Sequence, residues 1–319
     1  MVVNNNKILF IDTTHPCLKK MLEDAGYSCD LFTEKNRNEI LNIIVNYTGI
    51  IIRSRIKIDK ELLDKATNLK FVGRVGAGMD SIDVEYAVSK GVHCFNSPEG
   101  NRDAVGEHAI GMLLMMMNNI RRADMQVRQG LWKREENRGD EIKGKTIGII
   151  GCGNMGSSFA RKLYGFEANV IAYDKYKFNY SNEFVKEVSL DELYEHADIV
   201  SLHVPLTAGT KYMFNDSFIE KFKKNIWLIN TSRGQVVNTD SLVTGLKSGK
   251  INGTALDVIE YEETSFEKLN SKELPDAWQY LINSDKVILS PHIAGWTHES
   301  KIKLAEILGE KIIDFMKRV

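Results

Sequence analysis

The chain has 319 residues, with 42 Lys and Arg against 43 Asp and Glu and 43% hydrophobic residues. A net charge of −1 gives no field to draw the protein onto a phosphate backbone, so nucleic acid is not an expected partner. The most apolar run, the nine residues Ala109–Met117, falls far short of the ~20 needed to cross a bilayer, so no membrane partner is expected either.

At ~150 residues per domain the length points to two domains, and the composition is that of a globular chain. The N-terminal MVVNNNKILF lacks the basic-then-apolar layout of a secretory signal. Cys17, Cys29, Cys94 and Cys152 are scattered, with no C-x-x-C pair. That pattern fits free thiols in a reducing cytoplasm, and no metal is expected.

In chain order, Lys7–Ile11 reads as a strand and Pro16–Ala25 as a helix with Pro in its first turn. Strand-like Tyr27–Phe32, a helix near Asn38–Asn46, strand Gly49–Arg53, helix Asp59–Ala66 and strand Leu69–Val75 follow. A Gly-rich loop, a helix near Asp83–Lys90 and strand Val92–Asn96 complete the series. Such alternation predicts a parallel sheet with helices on its faces.

Asn101 to about Gly130 then reads as one long helix carrying Met112, Met115, Met116 and Met117, residues suited to core or subunit-interface packing. A second alternating series has strands at Lys145–Ile150, Asn169–Tyr173, Asp198–Val204, Ile226–Asn230, Ile251–Val258 and Lys286–Ser290. Ser189–Glu192 has the spacing of a capping box. Glu260–Asp285 is polar and loop-like with a helical piece, long enough to shape a binding site. Thr297–Arg318 reads as a terminal helix.

Gly151-Cys-Gly153-Asn-Met-Gly156 is a G-x-G-x-x-G that follows one strand and opens a helix, and Asp174 closes the next strand 18 residues later. Together these form the dinucleotide fingerprint. Gly151 permits the tight turn, Gly153 close approach of the pyrophosphate, and Gly156 close packing of helix on strand. The helix start attracts the phosphates. Asp174 would accept both ribose hydroxyls and repel a 2′-phosphate. That favours NAD over NADP, although the adjacent Lys175 weakens the contrast.

A nicotinamide enzyme also needs a proton acid/base and a group to polarise a carbonyl. Arg233, Glu262 and His292 each lie at or just past a C-terminal strand end, where open α/β sheets bind ligands. A carboxylate beside His292 would favour its protonated form and one tautomer, and Arg233 would take a carboxylate in bidentate fashion. Each has a plain structural alternative: a strand-end cap for Arg233, a solvated acidic face with Glu260 and Glu263 for Glu262, a turn role for His292. Spacing by itself does not bring the three together.

The ordered motifs IIRSR (51–55), GRVGAGMDSID (73–83), NSPEGNRDAVGEHA (96–109), GKTIGIIGCGNMG (144–156), HVPLT (203–207), LINTSRG (228–234), ALDV (255–258) and SPHIAGWT (290–297) span nearly the whole chain. They resemble the NAD-dependent D-2-hydroxyacid dehydrogenases, particularly the short D-3-phosphoglycerate-dehydrogenase-like branch. The resemblance implies an α/β fold of two doubly wound parallel-sheet lobes, flavodoxin-like and Rossmann, with a cleft between them. Residues 1–101 and 294–319 would form the substrate-binding lobe and 102–293 the NAD-binding lobe.

The resemblance further implies a catalytic Arg233, Glu262 and His292, with His292 the acid/base. NAD would be held by Gly151, Gly153, Asn154, Met155, Gly156, Asp174, His203, Val204, Pro205, Thr207, Thr231 and Asp257. Substrate would be held by Arg53, by backbone N–H groups at Val75, Gly76 and Ala77, and by Arg233 and His292. A homodimer is expected, with the Met-rich long helix as a dimer element.

Two positions depart from the family pattern: Glu263 where Pro often follows the catalytic Glu, and Trp296 where the residue is often small. Trp296 would narrow the site or pack at a hinge. Arg53 and Arg55, two apart at a strand end, would face the same way and suit a second anionic group such as the phosphate of 3-phosphoglycerate. Glyoxylate/hydroxypyruvate or D-lactate-type reduction, and a non-catalytic NAD(H)-sensing protein, are the alternatives. With its end at Val319, an appended regulatory domain is not expected.

Overall fold

The computed structural model describes residues 6–263 and 274–318. The chain begins with alternating strands and helices: β1 (Lys7–Phe10), α1 (Pro16–Asp24), β2 (Ser28–Leu31), α2 (Arg37–Ile43), β3 (Gly49–Ile52), α3 (Lys60–Lys65), β4 (Phe71–Arg74), α4 (Val84–Ser89) and β5 (His93–Asn96). Next come α5 (Arg102–Met117), α6 (Ile120–Arg128), β6 (Thr146–Ile150), α7 (Asn154–Lys162), β7 (Asn169–Tyr173), β8 (Lys186–Glu187), α8 (Leu190–His196), β9 (Ile199–Leu202) and α9 (Asp216–Ile219). β10 (Ile226–Asn230), α10 (Thr239–Ser248), β11 (Ile251–Leu256), α11 (Asp276–Asn283), β12 (Val287–Leu289) and α12 (His298–Met316) complete it.

Among the described residues the chain forms two units. One runs through Asn101 and resumes at Trp296; the other starts at Arg102 and ends at Gly295. The return therefore falls two residues beyond the expected 294, because the backbone N–H of Ala294 is bonded to Asp257 of the second unit.

The first unit is a five-stranded parallel sheet in the order β2-β1-β3-β4-β5. Its inner strands β1, β3 and β4 are buried on both faces, as a sheet covered on both sides requires. Leu9, Ile50, Ile52 and Val72 pack with Ile40, Leu62 and Ala87 of α2, α3 and α4. Their strand neighbours Ile8, Phe10, Ile51 and Phe71 turn the other way, against Leu18 and Leu22 of α1 and Ala305, Leu308 and Ile312 of α12. Asn36, Asp59, Asp83 and Thr297 start the helices with side chains that accept a first-turn N–H.

The second unit is a seven-stranded parallel sheet in the order β12-β11-β10-β9-β6-β7-β8. The strand order reverses between β6 and β9, which in a doubly wound sheet marks the ligand crevice at the C-terminal strand ends. The capping box at Ser189–Glu192 is present.

Two expectations change. The long helix is two, broken at Asn118–Asn119, where Asn119 adopts the left-handed conformation (φ 52°) that asparagine tolerates. The methionines are not a surface: Met112, Met116 and Met117 are buried against Ile147, Ile149 and Phe159 of the same unit. The exposed apolar side chains are instead Ile120, Met125 and Val127 of α6, with Leu131 and Trp132 beyond it. Strand β8 has two residues and shows no alternation to read. Of the Glu260–Asp285 segment, 264–273 lie outside the described residues, and α11 is its helical piece.

Among the described residues no helix is long and apolar enough to cross a membrane. Because Leu308 is fully buried between α12 and the first sheet, Leu308→Ala is expected to cost about 2–5 kcal/mol, read as a lower denaturant midpoint.

Candidate active site

The glycine loop leaves β6 with Gly151 at φ +94°, where a Cβ would also lie 2.6 Å from the His203 carbonyl oxygen. At Gly156 a Cβ would meet the Gly151 oxygen at 2.1 Å, so helix and loop approach as closely as glycine allows. At Gly153 it would meet nothing, which leaves the backbone open to a ligand. Three helices of this unit, α8, α9 and α10, carry a side-chain cap, from Ser189, Asn215 and Asn238. Helix α7, whose first turn holds Asn154 and Met155, has none. Its first N–H groups are thus offered to an anion.

Asp174 holds this loop: its Oδ2 accepts from the Cys152 N–H at 2.9 Å, its Oδ1 from the N–H groups of Tyr176 and Lys177 at 2.9 and 3.1 Å. Burial pushes the Cys152 thiol up to about 11, which argues against thiolate chemistry here.

Past β9, His203 Nε2 lies 2.8 Å from Ser201 Oγ, while its Nδ1 is buried with no partner among the described residues. Burial pushes His203 down to about 4, so it is neutral near pH 7. The Thr207 N–H and hydroxyl both engage Thr210, which in turn donates to the Pro205 carbonyl; Val204 sits between His203 and Pro205 in the same loop. Thr231 Oγ1, beyond β10, is buried without a partner among the described residues. An uncapped helix start, an open Gly153 and an unpaired buried hydroxyl fit a dinucleotide.

The ends of β11 and β12 carry the titratable pair. Glu262 reaches back to accept the Ile259 N–H through Oε1 at 2.6 Å, and its Oε2 lies 2.6 Å from His292 Nδ1. Among the described residues His292 is one of five non-glycine residues at positive φ, at 56°. That conformation costs about 1–2 kcal/mol, so its surroundings must impose it. They do so through Asp257, whose carbonyl accepts the His292 N–H at 2.7 Å. The Asp257 carboxylate accepts from Ser290 Oγ (2.6 Å) and from the N–H groups of Ile293 (2.9 Å) and Ala294 (2.8 Å). His108 of α5 lies 3.0 Å from Ser290 Oγ. Desolvation alone would raise the Asp257 carboxyl, but hydrogen bonds from His108, Ser290, Ala294 and Ile293 outweigh it and hold it below its usual value.

Arg233 sits on the neighbouring turn, whose shape Asn230 sets by accepting from Ser232 and donating to the Arg233 carbonyl. That turn packs on the Glu262 turn: a Cβ at Gly234 would lie 1.9 Å from the Ile259 oxygen.

A family model described as the D-isomer specific 2-hydroxyacid dehydrogenase NAD binding domain matches residues 110–294. The chain belongs to the D-isomer-specific 2-hydroxyacid dehydrogenase family. It is 34% identical to a D-3-phosphoglycerate dehydrogenase of Archaeoglobus fulgidus over 92% of this chain and 54% of that protein. It is also 34% identical to a hydroxypyruvate reductase of Thermotoga maritima, over 86% of this chain and 87% of the relative. The chain spans little more than half the length of the phosphoglycerate dehydrogenases it matches. A D-lactate dehydrogenase from Aquifex aeolicus, solved with NAD and lactic acid, superposes with a TM-score of 0.81 at 30% identity, covering 98% of this chain and 96% of that one.

Of the family motifs in the first unit, Arg53 and Arg55 do not act alike. Arg55 is turned inward: its Nε donates to Asp12 at 3.1 Å and its other nitrogens to the carbonyls of Lys35, Ile11 and Phe32. Buried Asp12 also accepts the N–H groups of Arg53, Ser54 and Arg55, which fixes the turn. Arg53 lies 4.8 Å from the ring centre of Trp296, an indole that is 68% exposed.

The second cation near Arg53 is Arg74, unremarked in the sequence, whose Nε donates to the Arg53 carbonyl at 3.2 Å. Its signal was position, at the C-terminal end of β4. Gly76 sits at φ +152°, a conformation that favours glycine, and a Cβ there would displace the Arg74 guanidinium, 1.5 Å from its place. Val75 gives its N–H to Ile52, so it cannot serve the expected anion seat; the N–H groups of Gly76 and Ala77 have no partner among the described residues.

Neutral His203 makes the fold acid-sensitive. Its folded value of about 4 lies below the ordinary ~6.5, so its contribution is complete above pH 6.5 and lost as pH falls toward 4. The loss is about 3 kcal/mol at most. His203→Gln is expected to show a smaller fall in denaturation midpoint between pH 7 and pH 4.5 than the unaltered chain.

Proposed function

We propose that the protein is an NAD-dependent D-2-hydroxyacid dehydrogenase that interconverts a small 2-hydroxy acid and its 2-keto acid. The observation that carries this reading is the 2.6 Å contact of His292 Nδ1 with Glu262 at the ends of adjacent strands. A carboxylate on Nδ1 keeps a proton on that nitrogen, so Nε2 is the one that gives its proton to a substrate carbonyl oxygen, or takes it from a hydroxyl. Arg233 binds the substrate carboxylate through its planar fork and polarises the carbonyl. Asp257 acts by shaping the His292 turn; its expected contact with the nicotinamide would draw on a carboxylate already holding three groups.

Bound NADH supplies the hydride. Gly151, Gly153, Asn154, Met155 and Gly156 would seat the pyrophosphate at the start of α7, and Asp174 the adenosine ribose. His203, Val204, Pro205, Thr207 and Thr231 would line the remainder.

For the substrate, Arg53 and Arg74 with the Gly76 and Ala77 N–H groups support an acid bearing a second anionic group, such as 3-phosphoglycerate. The resemblance to a hydroxypyruvate reductase over 87% of that relative's length supports the unphosphorylated acid as the second reading. We also infer a homodimer, supported by the exposed apolar side chains Ile120, Met125 and Val127 on a helix that buries no residue of its own. The four free cysteines support a cytoplasmic setting.

The test is NADH oxidation with phosphohydroxypyruvate, hydroxypyruvate, glyoxylate and pyruvate side by side. Phosphohydroxypyruvate is expected to turn over with the highest kcat/KM. Binding of NADH with no turnover of any acid would favour a sensing protein and overturn the enzyme reading. His292→Gln is expected to lose about 10²–10⁴-fold in kcat with NADH affinity unchanged.

A further inference from the structure

A tyrosine occupies a backbone conformation that aromatic residues rarely adopt. Tyr212, in the loop after β9, sits at φ 52°. Glycine or asparagine would take that conformation at little cost, so the tyrosine side chain has to compensate for it. Its hydroxyl donates to Glu260 Oε1 at 2.8 Å, and its backbone N–H donates to the Gln235 carbonyl at 2.8 Å. The other oxygen of Glu260 accepts the Thr239 hydroxyl at 2.7 Å and the Thr239 N–H at 3.1 Å. Among the described residues Glu260 has no cation partner, so its carboxylate is satisfied by neutral donors alone.

One carboxylate therefore joins three loops at the C-terminal strand ends. Tyr212 belongs to the loop after β9, Thr239 to the start of α10 where the connection after β10 ends, and Glu260 to the turn after β11. That turn carries Glu262 two residues later. Its backbone is pressed by Gly234 on one side, and Glu262 itself bonds back to Ile259 N–H. Asn238 caps α10 through the Ser241 N–H at 2.9 Å, while Glu260 takes the first N–H of that helix, from Thr239, and reaches Tyr212 in the loop after β9 with its other oxygen, which a helix cap does not require.

We propose that Tyr212 and Glu260 are positioning residues for the acid/base pair: they hold the tilt of the 259–262 turn, and through it the aim of Glu262 at His292. The inference rests on the reading of His292 as acid/base.

The experiment compares Tyr212→Phe, Glu262→Gln and the double variant in the full chain. It follows kcat, KM for NADH and the pH–rate profile of reduction with the fastest acid of the panel. Loss of one positioning hydrogen bond is expected to lower kcat about five- to tenfold. KM for NADH should stay within about twofold, and the pH profile should move in the same direction as in Glu262→Gln. In the Glu262→Gln background the further change should vanish, since both act on one contact. Tyr212→Asn, which keeps the backbone conformation at low cost, is expected to reproduce the kinetic loss without a fall in Tm.

A Tyr212→Phe that lowers Tm but leaves kcat and the pH profile untouched would overturn the proposal, as would effects that multiply in full with Glu262→Gln. If His292→Gln keeps full activity, the acid/base reading itself fails. If His292→Gln is inactive while Tyr212→Phe is normal, only the positioning role falls.

Discussion

The candidate site hangs on the buried carboxylate of Asp257. It is 1% exposed, and it spends its oxygens on Ser290 and on two successive backbone N–H groups just past His292. A buried anion without such donors would cost several kcal/mol. With them, its desolvation is offset, and the ends of β11 and β12 are fastened to each other. The left-handed conformation of His292 follows, because its own N–H is fixed to the Asp257 carbonyl while the next two are fixed to the carboxylate. The imidazole is thereby presented to Glu262 by backbone constraints more than by side-chain packing.

Parallel sheets explain why the remaining groups gather where they do. All six strand pairings of the second unit are parallel, so every turn that follows a strand opens on the same edge. The glycine loop, the His203 loop, the Arg233 turn, the Glu262 turn and the His292 turn are successive products of that single rule. Each is then given a local reason to hold its shape: Asp174 for the glycine loop, Asn230 for the Arg233 turn, Asp257 for the His292 turn. In the first unit buried Asp12 does the same for the Arg53 turn. Short polar residues at strand ends thus serve as loop organisers as well as candidates for chemistry.

This double use is why the sequence was legible in some places and opaque in others. The strands Asn169–Tyr173 and Ile226–Asn230 match the structure residue for residue, since apolar runs of that length between polar turns have one stable outcome in a buried sheet. The glycine fingerprint was equally readable, because steric need at Gly151 and Gly156 leaves no other residue. The break at Asn119 was not, since no Gly or Pro marks it and the apolar pattern continues past the two asparagines to Ile120. Nor was the division of labour between Arg53 and Arg55: alternation along a strand predicts a common face only while the strand continues, and here it ends at Ile52. Arg74 went unnoticed because a strand-end arginine has no distinguishing neighbours in the sequence, only in the bond it makes to Arg53.

The central claim is that Glu262 and His292 form a charge-assisted pair through Nδ1. The direct measurement is proton and nitrogen NMR of the imidazole in chain carrying ring-labelled histidine. The pair predicts one Nδ1 proton far downfield of ordinary amide resonances, assigned by its loss in His292→Gln and absent or strongly shifted upfield in Glu262→Gln. A His292 ring whose Nδ1 proton exchanges freely in the unaltered chain, or whose resonance is indifferent to the loss of the Glu262 charge, would contradict the account.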